Sequence, residues 1–344
     1  MQVSLKTIAR IAGVTEATVS MALRHTGTVS ARRREQILEI ARRLNYTPNF
    51  AARGLSTGRS QLIGVVAATF YTEISSLLLS HFEKEIRTQN YHLLGAFHQG
   101  NAQLEEQVLR DMIGRKVDGV VGFPVVQTRC RAWQLLHEAK IPFVIFNETA
   151  PFAHHEVGID FEHGARLMVD HLVSLGRRHL AFVCTGSRSP SVKARQRGWR
   201  AACKAHGIKW TPDRCFFTEK HGHPELLQEI AGRVVASPLR PDGLCAANDQ
   251  IATALLQALH RQGRTVPDEV AVVGFDDTEF SRLLPQPLTT VRQPIAEFAK
   301  RAAAIVLQQI DQPDTDYQRV LLPPELVVRE TTVKPPGDPM TDAG

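Results

Sequence analysis

Lys6-Thr7-Ile8-Ala9-Arg10-Ile11-Ala12-Gly13-Val14-Thr15-Glu16-Ala17-Thr18-Val19-Ser20 decides how this chain is organised. It reads as a helix, a tight turn and a second helix. Ile8, Ala9, Val14 and Val19 recur at spacings that let them point inward together. Gly13 supplies the turn, where a positive φ costs glycine little. Ala9 is small enough for two helices to cross closely. Ser4 and Thr15 stand before the two helix starts, with side-chain oxygens suited to capping. A helix-turn-helix of this spacing sets its second helix in the DNA major groove. The chain that follows is then a sensor or a dimeriser.

Charge supports the same reading. Residues 1–60 hold ten Lys/Arg and three acids, a local charge of +7, whereas the whole chain carries +6. The remaining 284 residues are therefore close to neutral at −1. A cationic head on a neutral body suits phosphate binding better than attraction to membranes.

At 344 residues the chain exceeds one ordinary core, so two or three domains are expected. No apolar run reaches membrane-spanning length, and no signal-peptide core opens the sequence. The expected location is the cytoplasm, on the nucleoid when bound to DNA, with no membrane partner. The five cysteines, Cys130, Cys184, Cys203, Cys215 and Cys245, lack CxxC spacing and read as scattered thiols. His154-His155 and His221-Gly222-His223 lack the partner spacing of a metal site. No metal and no cofactor are expected.

A third helix is predicted over 31–44, capped by Ser30, with Ile37, Leu38, Ala41 and Leu44 as its apolar face. Asn45-Tyr46-Thr47-Pro48 ends it. A short amphipathic stretch from Asn49 to Ser56 is too short to be a stable helix alone. It suits a conditional hinge. From Leu62 the pattern becomes short apolar runs alternating with helical stretches. Strands are predicted over 62–68, 92–97, 119–123, 143–146, 180–184, 243–246 and 270–274. Helices are predicted over 75–89, 102–114, 131–139, 161–175, 194–206, 224–237, 249–262 and 295–310. This alternation implies parallel, doubly wound α/β sheets in two lobes, after an all-α head. Gly158-Ile159-Asp160 falls near a crossover between them. A cleft between two such lobes, outside the strand ends, is where a ligand belongs. The expected division is a head over 1–48, a hinge and linker over 49–60, a two-lobed body over 61–333 and a disordered tail over 334–344.

These residues resemble the lactose/galactose-repressor (LacI/GalR) family. The head shares Leu5-Lys6-Thr7-Ile8-Ala9, Ala12-Gly13-Val14-Thr15, Thr18-Val19-Ser20, Val29-Ser30, Arg34 and Leu44-Asn45-Tyr46-Thr47-Pro48-Asn49 with it. The hinge Ala51-Ala52-Arg53-Gly54-Leu55 follows. The body continues with Ile63-Gly64-Val65, Val117-Asp118-Gly119-Val120, Ile141-Pro142 and Leu175-Gly176-Arg177-Arg178-His179. Arg195 with Gly198, Ala247-Asn248-Asp249, Val273-Gly274-Phe275-Asp276-Asp277 and Pro287-Leu288-Thr289-Thr290-Val291 complete it. The resemblance spans about residues 3–330. It implies a dimeric transcription regulator that binds a near-palindromic double-stranded operator. Its periplasmic-binding-protein-like sensor would answer to a small effector, often a sugar.

The resemblance also implies sites, residue by residue. Thr15, Glu16, Ala17, Thr18 and Met21 face the groove, while Leu5, Thr18, Ser20, Arg24, Ser30 and Asn49 lie by phosphates. Glu16 can accept from a cytosine amino group and Ala17 can touch a thymine methyl. Glu16 can equally serve the helix dipole. Met21 replaces a polar residue of several relatives and offers an apolar contact. Ala52, Arg53 and Leu55 belong to a hinge that enters the minor groove. Leu55 is either an apolar wedge in the central base step or ordinary hinge packing, and the small residues before it favour the wedge. For the ligand the pattern marks Thr72, Ile74, Asn147, Asp160, Ser189, Ser191, Arg195, Asn248 and Asp276. Arg195 and Asp276 on opposite walls would grip neighbouring hydroxyls, or would form a structural ion pair instead. Trp210 comes too early to be an aromatic platform, and Tyr71 or Phe161 can substitute.

Other functions compete. The sensor can answer to a protein partner or a non-sugar metabolite. An enzyme or solute-binding protein with an incidental head is the third reading. No P-loop, GxGxxG or Ser/Cys–His arrangement supports catalysis, and export contradicts a basic DNA-reading head.

Overall fold

The computed structural model describes residues 3–23, 26–47, 58–69, 72–125, 130–148, 150–185, 189–218, 224–313 and 315–334. The chain divides into two compact units, residues 1–60 and 61–344.

The first unit holds α1 (Leu5–Ala12), α2 (Glu16–Leu23) and α3 (Ala31–Arg43). Ser4 Oγ accepts from the Thr7 amide at 3.3 Å, and Ser30 Oγ from the Arg33 amide at 3.4 Å. Gly13 turns the chain at φ 65°, so the Val14 amide reaches Ala9 O at 3.0 Å. Ile8, Ala9, Ala12, Val19, Ala22, Ile37, Ile40 and Ala41 form the core. The expected face of α3 is corrected by one position. Ile40 is buried and Leu38 is only half-buried, outside that core. Ile37, Ile40, Ala41 and Leu44 lie three or four apart and so share one helical face.

In the second unit a six-stranded sheet combines β1 (Leu62–Ala67), β2 (His92–Phe97), β3 (Gly119–Gly122), β4 (Phe143–Phe146), β5 (His155–Ile159) and β11 (Arg319–Leu322). Its order is β11-β5-β4-β3-β1-β2, and every pair is parallel. The second sheet takes β6 (Leu180–Thr185), β7 (Cys215–Thr218), β8 (Gly243–Ala246), β9 (Ala271–Asp276), β10 (Thr289–Arg292) and β12 (Glu325–Val327). Its order is β12-β10-β9-β8-β6-β7, parallel except for the antiparallel edge β12.

Helices connect these strands: α4 (Glu73–Arg87), α5 (Ala102–Gly114), α6 (Gln134–Glu138), α7 (Phe161–Ser174), α8 (Pro190–Ala205), α9 (Pro224–Val235), α10 (Asp249–Arg261), α11 (Glu279–Arg282) and α12 (Ile295–Asp311). α7 packs on β8, β10 and β12, whereas α12 returns to pack on α4, β3, β4 and β5. The chain therefore crosses between lobes three times: at Asp160, at Gln293-Pro294 and at Pro323-Pro324. The strand cores are nearly continuous apolar runs, as parallel strands covered on both faces require. α7 and α8 approach so closely that a Cβ on Gly198 would lie 2.2 Å from Glu162 O.

The seven strands expected from sequence are present, with ends shifted by at most two residues. Five more, β5, β7, β10, β11 and β12, complete the sheets.

Candidate functional site

The head presents the start of α2. Thr15 Oγ1 accepts from the Thr18 amide at 3.2 Å and pairs with Thr18 Oγ1 at 2.9 Å. Thr15, Glu16 and Ala17 are exposed, and Thr18, Ser20 and Met21 are half-buried. A cap followed by exposed side chains leaves this helix start open to a groove. Met21 is different, because its thioether folds back over Gly27 in the turn before α3. Leu5 packs half-buried against the head core, and exposed Ser30 caps α3. Arg33 Nη1 donates to Ala12 O at 3.5 Å and so ties α3 to α1. Arg24, Asn49, Ala52, Arg53 and Leu55 lie outside the described residues.

In the body a cavity of about 850 Å³ opens between the lobes. Thr72, Ile74, Asn147, Ser189, Ser191, Arg195, Asn248 and Asp276, all expected from sequence, line it. Tyr71, His221 and Gly222 lie outside the described residues. Asp160 is a correction. Its carboxylate caps α7, accepting from the His163 amide at 2.8 Å, and lines a separate depression instead. A carboxylate at the first turn of a helix is held by the free amides there.

Arg195 is nine-tenths buried, sandwiched between Phe161 and Phe275 at 4.4 Å and 4.1 Å from the ring centroids. Its Nε has no hydrogen-bond partner, and its Nη2 stands 3.8 Å from Asp276 Oδ1. Stacking on two faces fixes the guanidinium plane at the cavity wall. Arg195 and Asp276 both rise from the second lobe, so the expected grip from opposite walls is corrected to a pair on one wall. Asp276 Oδ1 also accepts from Gln293 Nε2 at 2.6 Å, a side chain of the second crossing.

Asp276 and Asp277 have φ of 123° and 54°, a costly backbone for two successive non-glycine residues. Asp277 holds it in place. Its carboxylate receives Arg282 at 2.9 Å, Arg292 at 2.6 Å and Arg329 at 2.6 Å. Burial alone would raise Asp277, but its hydrogen bonds from Arg292, Arg329 and Arg282 keep its carboxyl below the usual range. Burial pushes Asp276 up to about 7, although Arg195 acts against it. Asp249 is likewise pushed up to about 6 by burial. It accepts from Thr290 Oγ1 at 2.5 Å and from the Thr278 amide at 2.8 Å. Burial lowers Arg195 to about 10, with Asp276 pulling it back up.

Several lining residues carry no signal of their own in the sequence: Asp249 only follows Asn248, and Glu73 only follows Thr72. Glu73 Oε1 accepts from the Glu279 amide at 2.5 Å, a hydrogen bond from one lobe to the other. Phe123 and Phe146 meet edge to face at 5.2 Å on the first-lobe wall, and Phe280 stands 65% exposed at the mouth. Trp210 packs under Arg200 at 4.1 Å, away from the cleft. Among the described residues no group of three or more His, Cys, Asp or Glu could hold a metal ion. All five cysteines are free and buried.

Residues 4–49 match the bacterial regulatory proteins of the lacI family, and residues 169–332 match the periplasmic binding protein-like domain. The chain belongs to the lacI family. This regulator is 25% identical to the HTH-type transcriptional repressor PurR of Pasteurella multocida, over 95% of its own length and 98% of that protein. It is 26% identical to the ribose operon repressor of Haemophilus influenzae, again over 95% and 98% of the two chains. Its fold matches the lac repressor dimer bound to operator and an anti-inducer with a TM-score of 0.86. That match has 24% identity and covers 97% of the regulator and 100% of the other chain. The lacI-family regulator therefore joins a helix-turn-helix head to a two-lobed sensor body. No helix among its described residues is long and apolar enough to cross a membrane.

Proposed function

We propose that this regulator represses transcription as a homodimer and that a small, hydroxyl-rich molecule, such as a sugar, bound between its lobes controls it. Each head reads one half of a near-palindromic operator through Thr15, Glu16, Ala17 and Thr18. The hinge over 49–60 carries Leu55 into the minor groove. The observation that carries the effector reading is Arg195. A guanidinium clamped between two rings at the cavity wall, with Asp276 3.8 Å from its Nη2, suits a ligand that accepts from one and donates to the other. Asn147, Asn248, Ser189 and Ser191 add hydrogen-bonding groups around the same cavity. Exposed Leu77 and Phe97 on the first lobe, with Phe280 and Leu283 on the second, support a dimer that pairs both lobes.

The control needs unequal affinity of the ligand for two arrangements of the lobes. Three crossings supply the pivot. Gln293 lies on one of them and bonds Asp276, so a ligand on Asp276 acts directly on the pivot. No catalytic step enters this reading, and Asp277 is committed to its three arginines.

Operator selection followed by competition against random DNA at physiological salt tests the reading. A selected site should bind at least about a thousandfold tighter than random DNA. Its affinity should fall steeply as salt rises. A panel of sugars and related polyols should include one that stabilises the body and weakens operator binding. Equal affinity for selected and random DNA overturns the DNA reading, and a panel with no stabilising member overturns the effector reading.

A further inference from the structure

On the reading that the cleft holds the effector, the hydrogen bond across its mouth gains a role. Glu73 stands at the start of α4 in the first lobe and lines the cleft. Its Oε1 accepts from the Glu279 amide, at the start of α11 in the second lobe, at 2.5 Å. Each end is held firmly in its own lobe. Thr72 Oγ1 accepts from the Ser75 amide at 3.2 Å and so fixes the first turn of α4. Asp249 Oδ2 accepts from the amide and the hydroxyl of Thr278 at 2.8 Å and 3.0 Å, and Arg282 Nη2 donates to Asp277 at 2.9 Å. The Glu279 amide meets no other acceptor among the described residues. Asp249 also lines the cleft, so a chain of bonds runs from the ligand site through Asp249, Thr278 and Glu279 to Glu73.

We infer that Glu73 is a positioning residue that clasps the lobes across the cleft mouth and passes a ligand's pull on the second lobe to α4 of the first. A carboxylate accepting from an amide makes a charge-assisted bond, and it reaches its donor only over a narrow range of lobe positions. The clasp therefore favours the arrangement described above over a wider one. Losing one such bond shifts the balance between the two by about threefold to tenfold. α4 carries exposed Leu77 one turn beyond Glu73, and α11 carries exposed Phe280, with exposed Leu283 just beyond its end. The clasp thus joins the two helices beside the apolar residues that support the dimer, and its loss lets those faces part.

The test opens the clasp from either side and needs neither effector nor operator. Thr253 is half-buried on α10 and lines the cleft, and the native cysteines are all buried. In full-length Thr253→Cys, the rate of reaction with N-ethylmaleimide, an uncharged reagent, reports how far the cleft opens. Glu279→Pro removes the donor and leaves Glu73 in place. Thr278 is extended at ψ 153°, the conformation a following proline requires, and position 279 opens a helix, where proline is tolerated. Glu73→Ala removes the acceptor. Each should raise the rate by about threefold to tenfold, and the two together no further than either alone. Glu73→Gln keeps an acceptor and Glu279→Ala keeps the donor, so both should stay near the parent rate. The same variants with Thr253 intact supply the background and report any unfolding. An unchanged rate in Glu279→Pro or Glu73→Ala, additive effects of the two, or an equal rise in either conservative variant overturns the inference. A polyol panel without a stabilising member counts against the effector reading, whereas these rates alone decide the clasp.

Discussion

Replacing Gly198 by alanine should loosen the contact that sets Arg195 in place. The new Cβ would stand 2.2 Å from Glu162 O and 2.7 Å from Glu162 Cα, where ordinary contacts begin near 3.4 Å. Both obstructing atoms are backbone, so relief requires α7 and α8 to part by about 1 Å, towards the costly end of overpacking at about 3 kcal/mol. Alanine returns about 1 kcal/mol of helix propensity. The net loss is about 2 kcal/mol, or about 3–4 °C in the melting temperature of a body this size. Gly232→Ala is the matched control. Gly232 is exposed on α9 with no atom within 4 Å of its would-be Cβ, so the same change should gain about 0.5–1 kcal/mol. Calorimetry on the full chain, with fluorescence of buried Trp199 as a second probe, measures both. Arg195 stands one helical turn before Gly198, so effector affinity should fall with the first variant only. A Gly198→Ala protein melting at or above the parent would refute the close packing of these helices.

Asp276 makes a pH prediction. Its folded pKa is raised to about 7 by burial, so the folded chain holds that proton more tightly than the unfolded chain does. The resulting stabilisation is complete below the unfolded value of about 4 and fades as pH rises through 7. Asp276→Asn mimics the protonated form, so its melting temperature relative to the parent should climb between pH 5 and pH 8. A constant difference would show that Asp276 titrates normally. Arg195→Lys keeps the charge but loses the planar stack on Phe161 and Phe275, and effector affinity should drop at least about tenfold while operator binding persists. Titration calorimetry paired with gel shift separates the two outcomes, and unchanged affinity would remove Arg195 from the pocket. Leu55→Ala should weaken operator binding and reduce DNA bending without changing effector affinity. An unaltered bend angle by energy transfer would assign Leu55 to hinge packing.

β2, β4, β8 and α5 are legible in the sequence to the residue because each is an unbroken local pattern with clear punctuation. β5 is hidden because His155 and Glu156 look like loop residues. Both are buried through distant partners: His155 accepts from the Gln318 amide, and Glu156 pairs with Arg319 at 3.0 Å. The threonines of β10 are hidden in the same way. Thr289 bonds Arg329 and Thr332, and Thr290 bonds Asp249, all some forty residues away or more. β11 and β12 are edge strands of four and three residues with half-exposed faces, too short to stand out as apolar runs. α8 begins at Pro190, four residues earlier than expected, since proline in the first turn of a helix costs no hydrogen bond. Most cleft residues were legible as polar groups at strand ends. Their pairing was not, because which lobe Asp276 and Arg195 share depends on where the chain crosses.

Those crossings also set a timetable for synthesis. Residues 160–292, α7 through β10, are a continuous run that contains five of the six strands of the second sheet. The first sheet has β1 to β5 in hand by Ile159, but its edge strand β11 and its covering helix α12 are made last. At a ribosomal pace of about 5–20 residues per second, that interval is on the order of ten seconds or more. During it the apolar faces of β3, β4 and β5 await α12 uncovered. The lobe begun first is finished last, so the nascent chain is most exposed to aggregation and proteolysis while its second lobe is being made.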